Sequence, residues 1–385
     1  MNPNDVNLTN MDRRSFLRLC AIMGFGLATT GLAGCGNSDS GGAGETRTIV
    51  DHTGEEVVIP AKIERVAITS ITPLPSVYSM FRGGPKNLIG MSPSSMAAAK
   101  NSYLAKVYPD ILDVDTGFYA GNDCNVEELV ARKPDVVFYR TNVEGERERL
   151  QAAGLCAIGV SVKKGGFNAI DTFNSWIELL QQVFPEENHT KGIVEKGNEI
   201  LAEIQSRVSD IPESERPRCI ALTASQKGVL KVSGNTFFGD WWITSCGGIN
   251  AASEIKGIGE ISMEQIYQWN PDKILLNNFC SFLPENLYNN DMAGCDWSPV
   301  KAVKDKEVYK FPLGTYRWFP PSADTPMSLW WVAKSIHPEL FKDIDLNQKV
   351  REYYSEYYNF DLTDDDLHAI FNPPAEAAGS VWDKK

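Results

Sequence analysis

Tyr316, Arg317 and Trp318 stand side by side just ahead of Pro320 and Pro321. A cation between two large rings is the chemistry of ligand capture. The guanidinium fork takes anionic oxygens in pairs, and ring faces cover apolar surface. Residues of similar character follow short apolar runs elsewhere: Thr69, Ser70 and Thr72, then Ser92, Ser94 and Ser95, then Tyr119, then Tyr139 and Arg140. Further on come Ser225, Gln226 and Lys227, then Phe237 and Trp241, then Asn277 and Asn278. The candidates for ligand contact are Tyr316, Arg317, Trp318, Tyr119, Arg140, Trp241, Asn277 and Ser70. Some have a plainer reading. Arg140 can pair with Asp123 or Glu144, the aromatic cluster Phe237, Phe238, Trp241 and Trp242 is as often core as pocket, and Tyr353, Tyr354, Tyr357 and Tyr358 recur at helical spacing as packing residues do.

Patterns that break bonds are missing from the sequence. It has no Gly-x-Ser-x-Gly elbow, no His-Glu-x-x-His, only 4 histidines and no evident acid–base pair, so no catalytic residue is assigned and the chain reads as a non-enzyme. A bare metal ion would need a compact His or carboxylate cluster, and neither that nor a Cys-x-x-Cys is present, so no metal ligand and no intrinsic cofactor are assigned. A net charge of −13 makes nucleic acid a poor partner. Cys124, Cys156, Cys219, Cys246, Cys280 and Cys295 follow the first two cysteines, and Cys280 with Cys295, the nearest pair, can bridge or stay as buried thiols.

Cys35 has a different chemistry. Upstream of it run Arg13-Arg14-Ser15-Phe16-Leu17-Arg18 and an apolar stretch ending Leu32-Ala33-Gly34, too short to span a bilayer and built like a removable export signal. Leu-Ala-Gly-Cys resembles a lipobox, which makes the Cys35 thiol the acceptor of a lipid. The paired arginines resemble the twin-arginine signal, although Asp12 stands where that motif usually has Ser or Thr. Residues 36–44 contain no residue able to seed a core and read as a flexible leash.

The elements that must position these groups alternate. Two β-rich runs around Asp51-His52-Thr53-Gly54 read as a hairpin. Arg65 to Thr69, Leu88 to Met91, Val136 to Tyr139 and Ala157 to Val160 read as buried strands separated by helices, the signature of an α/β lobe with a mainly parallel sheet. Residues 125–139 are echoed by residues 262–276: each reads as a capped helix, a Pro-Asp corner and a strand, which implies two similar lobes. Ile193, Val194, Ile200, Leu201, Ile204 and Val208 recur at helical spacing, so residues 186–210 read as one amphipathic helix of roughly 30 Å joining the lobes. In open α/β sheets ligands gather beyond the carboxyl ends of the strands, where the candidates above fall.

Taken in order, the lipobox, the hairpin leading into Arg65-Val66, the two Pro-Asp units, the bridging helix, Gly247-Gly248-Ile249-Asn250, Gly257-Ile258-Gly259-Glu260 and the segment Pro312 to Lys334 resemble the substrate-binding lipoproteins of ABC importers for ferric siderophores, haem and cobalamin. The resemblance covers about residues 47–360. It implies the class III periplasmic binding protein fold, an α/β architecture of two similar lobes with mainly parallel central sheets joined by one long rigid helix. It also divides the chain into an export signal with lipobox at 1–34, a tether at 35–46, an N-terminal lobe at 47–185, the bridging helix at 186–210, a C-terminal lobe at 211–360 and a tail at 361–385. The function it implies is capture of an iron chelate, a ferric siderophore or haem, with a corrinoid such as cobalamin as the alternative; a tethered hydrolase or a surface adhesive or sensory domain is the remote alternative. A monomer tethered to the membrane outside the cytoplasm would hand that ligand to an ABC permease. No Gly-x-x-x-x-Gly-Lys-Ser/Thr loop is present, so the ATPase is a separate subunit.

Overall fold

The computed structural model describes residues 45–224 and 229–375. The export signal, Cys35, most of the tether and the candidates Ser225, Gln226 and Lys227 lie outside the described residues. The body opens with an antiparallel hairpin of β1 (Thr46–Val50) and β2 (Glu56–Pro60), paired from Thr46 with Pro60 to Val50 with Glu56. The first main sheet contains β3 (Val66–Ile68), β4 (Leu88–Met91), β7 (Val136–Arg140) and β8 (Ala157–Val160), ordered β4-β3-β7-β8 with every pair parallel. A small hairpin, β5 (Tyr119–Ala120) and β6 (Asp123–Cys124), lies between β4 and β7 in the chain.

The second sheet is formed by β9 (Arg218–Ala224), β10 (Leu230–Ser233), β11 (Ile249–Asn250), β12 (Ile258–Ile261), β13 (Lys273–Leu276) and β14 (Val308–Lys310), ordered β12-β10-β9-β13-β14 with β11 beside the start of β9. β9, β13 and β14 are parallel, whereas β10 runs antiparallel to both β9 and β12. The second sheet is therefore mixed, its parallel half matching the first sheet.

Strand residues alternate between two environments, as a period of two requires. Val66, Ile68, Phe138 and Ile158 face a large core that also takes in Ala221, Leu275 and Phe311 of the second sheet, so one continuous apolar body serves both sheets. Ala67, Val137, Tyr139 and Ala157 face a small cluster on the other side of the first sheet, and Ile220, Leu222, Ile274 and Leu276 do the same for the second.

The echo in the sequence is a structural echo. Asn125 and Ser262 each cap the helix that follows them, Ser262 through a full capping box with Gln265. Lys133 and Asn270, each directly before the proline, take left-handed backbone (φ 51° and 40°). The next residue but one does the same job in both copies. Asp135 Oδ2 accepts from Arg65 N at 2.9 Å and Asp272 Oδ2 accepts from Arg218 N at 2.8 Å, fixing the starts of β3 and β9.

The amphipathic segment forms a helix over Ile193–Val208, shorter than the expected 186–210. Pro185 stops the preceding Ala169–Val183 helix, Asn188 folds its side chain back onto Thr190 N–H at 2.6 Å, and Gly192 takes left-handed backbone at the helix start. Ile193, Ile200, Ile204 and Val208 are buried, and a Cβ on Gly197 would lie 3.3 Å from Ile170 Cδ1, which shows how closely the Ala169–Val183 helix approaches. Beyond residue 360 the chain is more than a tail, since a helix over Asp364–Phe371, capped by Thr363, buries Leu367 and Ile370.

Candidate functional site

Polar groups collect where the first sheet's parallel strands end. Thr69 and Ser70, directly after β3, both donate to the buried carboxylate of Glu146, at 2.7 and 2.5 Å. Ser70 Oγ in turn accepts from Arg140 N at 2.8 Å, tying the end of β7 to the end of β3. Arg140 makes no ion pair with Asp123 or Glu144 among the described residues, and its buried Nε has no hydrogen-bond partner there. Tyr119, on the β5–β6 hairpin, belongs to the same neighbourhood: burial first, then the nearby Cys124 and Glu146, push its hydroxyl pKa well above the ordinary value.

Beyond β13, Asn277 and Asn278 are buried and fully used. Asn277 donates to Thr223 and accepts from Phe279 N at 2.9 Å, while Asn278 donates to Phe311 O at 2.9 Å and accepts from Phe319 N at 2.9 Å. Lys310, on β14, donates to the carbonyls of Asn277 (3.2 Å), Cys280 (2.5 Å) and Phe282 (3.2 Å), and burial lowers its pKa. These residues brace the 277–282 loop. That loop presents Phe279, half-buried, whose ring lies 5.1 Å from the Arg317 guanidinium carbon.

Arg317 is only 6% exposed. Its Nη1 donates to Tyr316 Oη at 3.0 Å, and the Tyr316 ring lies 5.2 Å away. Arg317 thus stands between two rings, but the second is Phe279 and not Trp318. Trp318 is wholly buried, with its edge on Phe371 at 5.9 Å, and packs into the core. Trp241 meets its neighbour Trp242 edge to face at 4.9 Å.

Two contacts join the rows of loops. At the β4 edge, Tyr103 N donates to Gly314 O at 2.8 Å and Ser102 Oγ to Thr315 O at 3.0 Å, linking the first sheet to the loop after β14. At the β8 edge, Phe167 meets Phe237 and Phe238 of the second sheet, both at 5.3 Å, and Phe319 lies 6.4 Å from Phe237. Phe167 (φ 72°) and Thr236 (φ 59°), one on each side of this aromatic bridge, are held in left-handed backbone, a costly state for a β-branched residue. Ser70, Glu146 and Arg140 stand at the carboxyl ends of β3 and β7 with Tyr119 close by, and Phe279, Tyr316 and Arg317 stand in the loops that follow β13 and β14.

Glu146, Phe167, Phe279 and Phe319 went unrecognised in the sequence. Gly165-Gly166 immediately before Phe167 was a usable signal, because paired glycines after a strand and before a helix-capping Asn mark a tight turn that presents the next side chain. Phe279 follows directly on the predicted Asn277-Asn278 pair. No group of three or more His, Cys, Asp or Glu able to hold a metal ion occurs among the described residues. Cys124, Cys156, Cys219, Cys246, Cys280 and Cys295 are free thiols, so Cys280 and Cys295 do not bridge.

Two α/β sheets whose carboxyl-end loops touch, connected through the Ala169–Val183 and Ile193–Val208 helices, have the architecture of a solute-binding protein. The family model described as periplasmic binding protein matches residues 88–313, and the chain belongs to this family, the solute-binding subunits of ABC importers. The chain is 28% identical to a periplasmic solute binding protein of Veillonella parvula, with a TM-score of 0.76 over 87% of this chain and 99% of that one. It is 24% identical to the molybdate-binding protein MolA of Haemophilus influenzae over 81% of this chain and 91% of that protein. The structure of Helicobacter pylori CeuE in a Ni–His complex is 21% identical, with a TM-score of 0.64 over 85% of this chain and all of that one (100%). The fold is that of the class III periplasmic binding proteins.

Proposed function

We propose that this protein captures a compact, oxygen-rimmed anionic metal complex outside the cytoplasm and delivers it to the permease of an ABC importer. The ligand is a ferric chelate of siderophore type or an oxyanion of the molybdate kind. The observation that supports this reading is an arginine beyond the carboxyl end of a strand in each sheet: Arg140, ending β7, with a buried Nε that no hydrogen bond reaches among the described residues, and Arg317, in the loop after β14, held between Tyr316 and Phe279. Arginine forks are the side chains best matched to paired anionic oxygens. MolA is named for molybdate and CeuE was solved with nickel and histidine, both compact metal species.

Haem and corrinoids are the readings this disfavours, since a wide, flat macrocycle that reached the β8 edge would have to part Phe167 from Phe237. Tryptophan fluorescence and calorimetry against molybdate, a ferric catecholate siderophore, haem and cobalamin test the reading. Saturable one-site binding of one of the first two is expected; binding of haem or cobalamin alone, or of none, overturns it.

The same reading includes attachment of the exported chain to the membrane through lipid on Cys35, as the lipobox Leu32-Ala33-Gly34-Cys35 supports. Labelled palmitate should enter the wild type and not Cys35→Ala, and labelling that persists in the variant removes the anchor from the proposal.

A further inference from the structure

Asp324 is wholly buried, and among the described residues no lysine, arginine or histidine pairs with it. It stands at the cap position of the Thr325–Ile336 helix yet makes no side-chain cap bond. Its carboxylate turns instead into the Gly314–Arg317 loop. Oδ2 accepts from Thr315 N at 2.8 Å, Thr315 Oγ1 at 3.0 Å and Tyr316 N at 3.4 Å, and Oδ1 accepts from the Tyr358 hydroxyl at 3.3 Å. Tyr354 supplies a further hydroxyl, which also lies 3.0 Å from Thr315 N. Gly314 is required by this arrangement, because a Cβ there would sit 2.5 Å from both Asp324 Oδ2 and Tyr354 Oη. The Gly314 and Thr315 carbonyls meanwhile accept from Tyr103 and Ser102 of the opposite sheet.

We propose that Asp324 is the positioning residue of the ligand loop, and that its ionised carboxylate sets Tyr316 and Arg317 for binding while its protonation slackens them. The proposal rests on the reading of Tyr316 and Arg317 as ligand contacts. The carboxylate is ringed by donors, so an added proton introduces one more donor into a cage with too few acceptors, and a loop bond must be given up. Linkage fixes the direction. The bonds from Thr315 and Tyr316 stabilise the charged form; a loop that withdraws takes them away, while Asp324 stays buried against Tyr353, Tyr354 and Tyr358. The withdrawn state therefore holds the proton more tightly, and protonation favours withdrawal.

Burial raises the Asp324 pKa to about 6, against the lowering effect of the bonds from Thr315, Tyr316 and Tyr354. The facing tyrosines, Tyr353, Tyr354 and Tyr358, are pushed well above their ordinary value by burial and stay neutral. Asp324 is then the titrating group of this cage near pH 6. Ligand that selects the ionised form should bind roughly tenfold more weakly one pH unit below that midpoint.

The test uses the full chain. Amide exchange of residues 313–319, corrected for the chemical exchange rate, is compared at pH 5 and pH 7.5, and affinity for molybdate and for a ferric catecholate siderophore is measured across the same range. Protection and affinity should both fall at pH 5 in the wild type, and Asp324→Asn should flatten both profiles. Thr315→Ala, which removes one donor to the carboxylate and leaves the fold's apolar contacts in place, should move the midpoint upward. Equal protection at both pH values in the wild type, or an unshifted midpoint in Thr315→Ala, overturns the proposal. If neither probe binds, the ligand reading fails, and the exchange profiles alone decide the role of Asp324.

Discussion

Arg317 is the residue on which the ligand reading turns, and its surroundings make a quantitative expectation. A hydrogen bond to a charged partner contributes about 1.5 to 3 kcal/mol, so Arg317→Ala should weaken binding of an anionic complex by about that amount in a calorimetric titration. Unchanged affinity would move the contact to Tyr119 or Arg140. Asp324 makes a second, independent expectation at this scale, on stability instead of binding. Its pKa in the fold, about 6, lies above the ordinary carboxylate value of 3.8. The native state therefore holds more protons than the unfolded chain between roughly pH 4 and 6, and stability conferred by this group falls as pH rises through that window. Urea denaturation should show the wild type losing stability relative to Asp324→Asn between pH 4 and 7; a constant or growing advantage for the wild type would contradict the burial argument. Residue roles were only partly legible in the sequence. Arg317 and Tyr316 were visible because a cation beside rings and prolines is unusual. Which ring flanks the arginine was not, since Trp318 and Phe279 are set by how two loops cross, and nothing in a linear neighbourhood distinguishes a ring on the gap from one packed on Phe371.

At the scale of elements, the helix over Ile193–Val208 determines how far the two sheets can move. It packs between helices that both sheets rest on, and the core it joins is continuous from Val66 to Phe311. A wide hinge would have to break that core. Small-angle scattering with and without ligand should therefore give nearly the same radius of gyration, and a large compaction on binding would contradict the rigid-helix account. Gly197→Leu should cost about 1 to 3 kcal/mol in chemical denaturation, since the new side chain has to displace Ile170 or Pro326. The helix itself was readable from its apolar spacing. Its start was not, because Asn188 and Gly192 end the preceding turn through side-chain and backbone geometry that periodicity does not report. The Pro-Asp echo was the clearest signal of all, since each part of it has a local cause: a cap, a left-handed residue before proline, and an aspartate tied to the neighbouring strand. The antiparallel β10 and β12 had no comparable signal, as short apolar runs look alike in either direction.

For the molecule as a whole, two bridges join the loops of the two sheets, one of hydrogen bonds and one of aromatic rings. Phe167→Ala should loosen the aromatic bridge and let a flat macrocycle compete, so haem should bind the variant measurably better than the wild type in an absorbance titration; equal exclusion from both would mean that the bridge is not what limits size. The central claim is that an anionic metal complex sits in the gap between Arg140 and Arg317. The most direct measurement is an anomalous difference map, collected at the absorption edge of the metal in crystals grown with molybdate or the ferric siderophore. The account predicts one strong peak between the rows of loops, flanked by Arg140 and Arg317. A peak elsewhere, such as the shallow groove beside Lys100 and Lys106, with an empty gap, would contradict it.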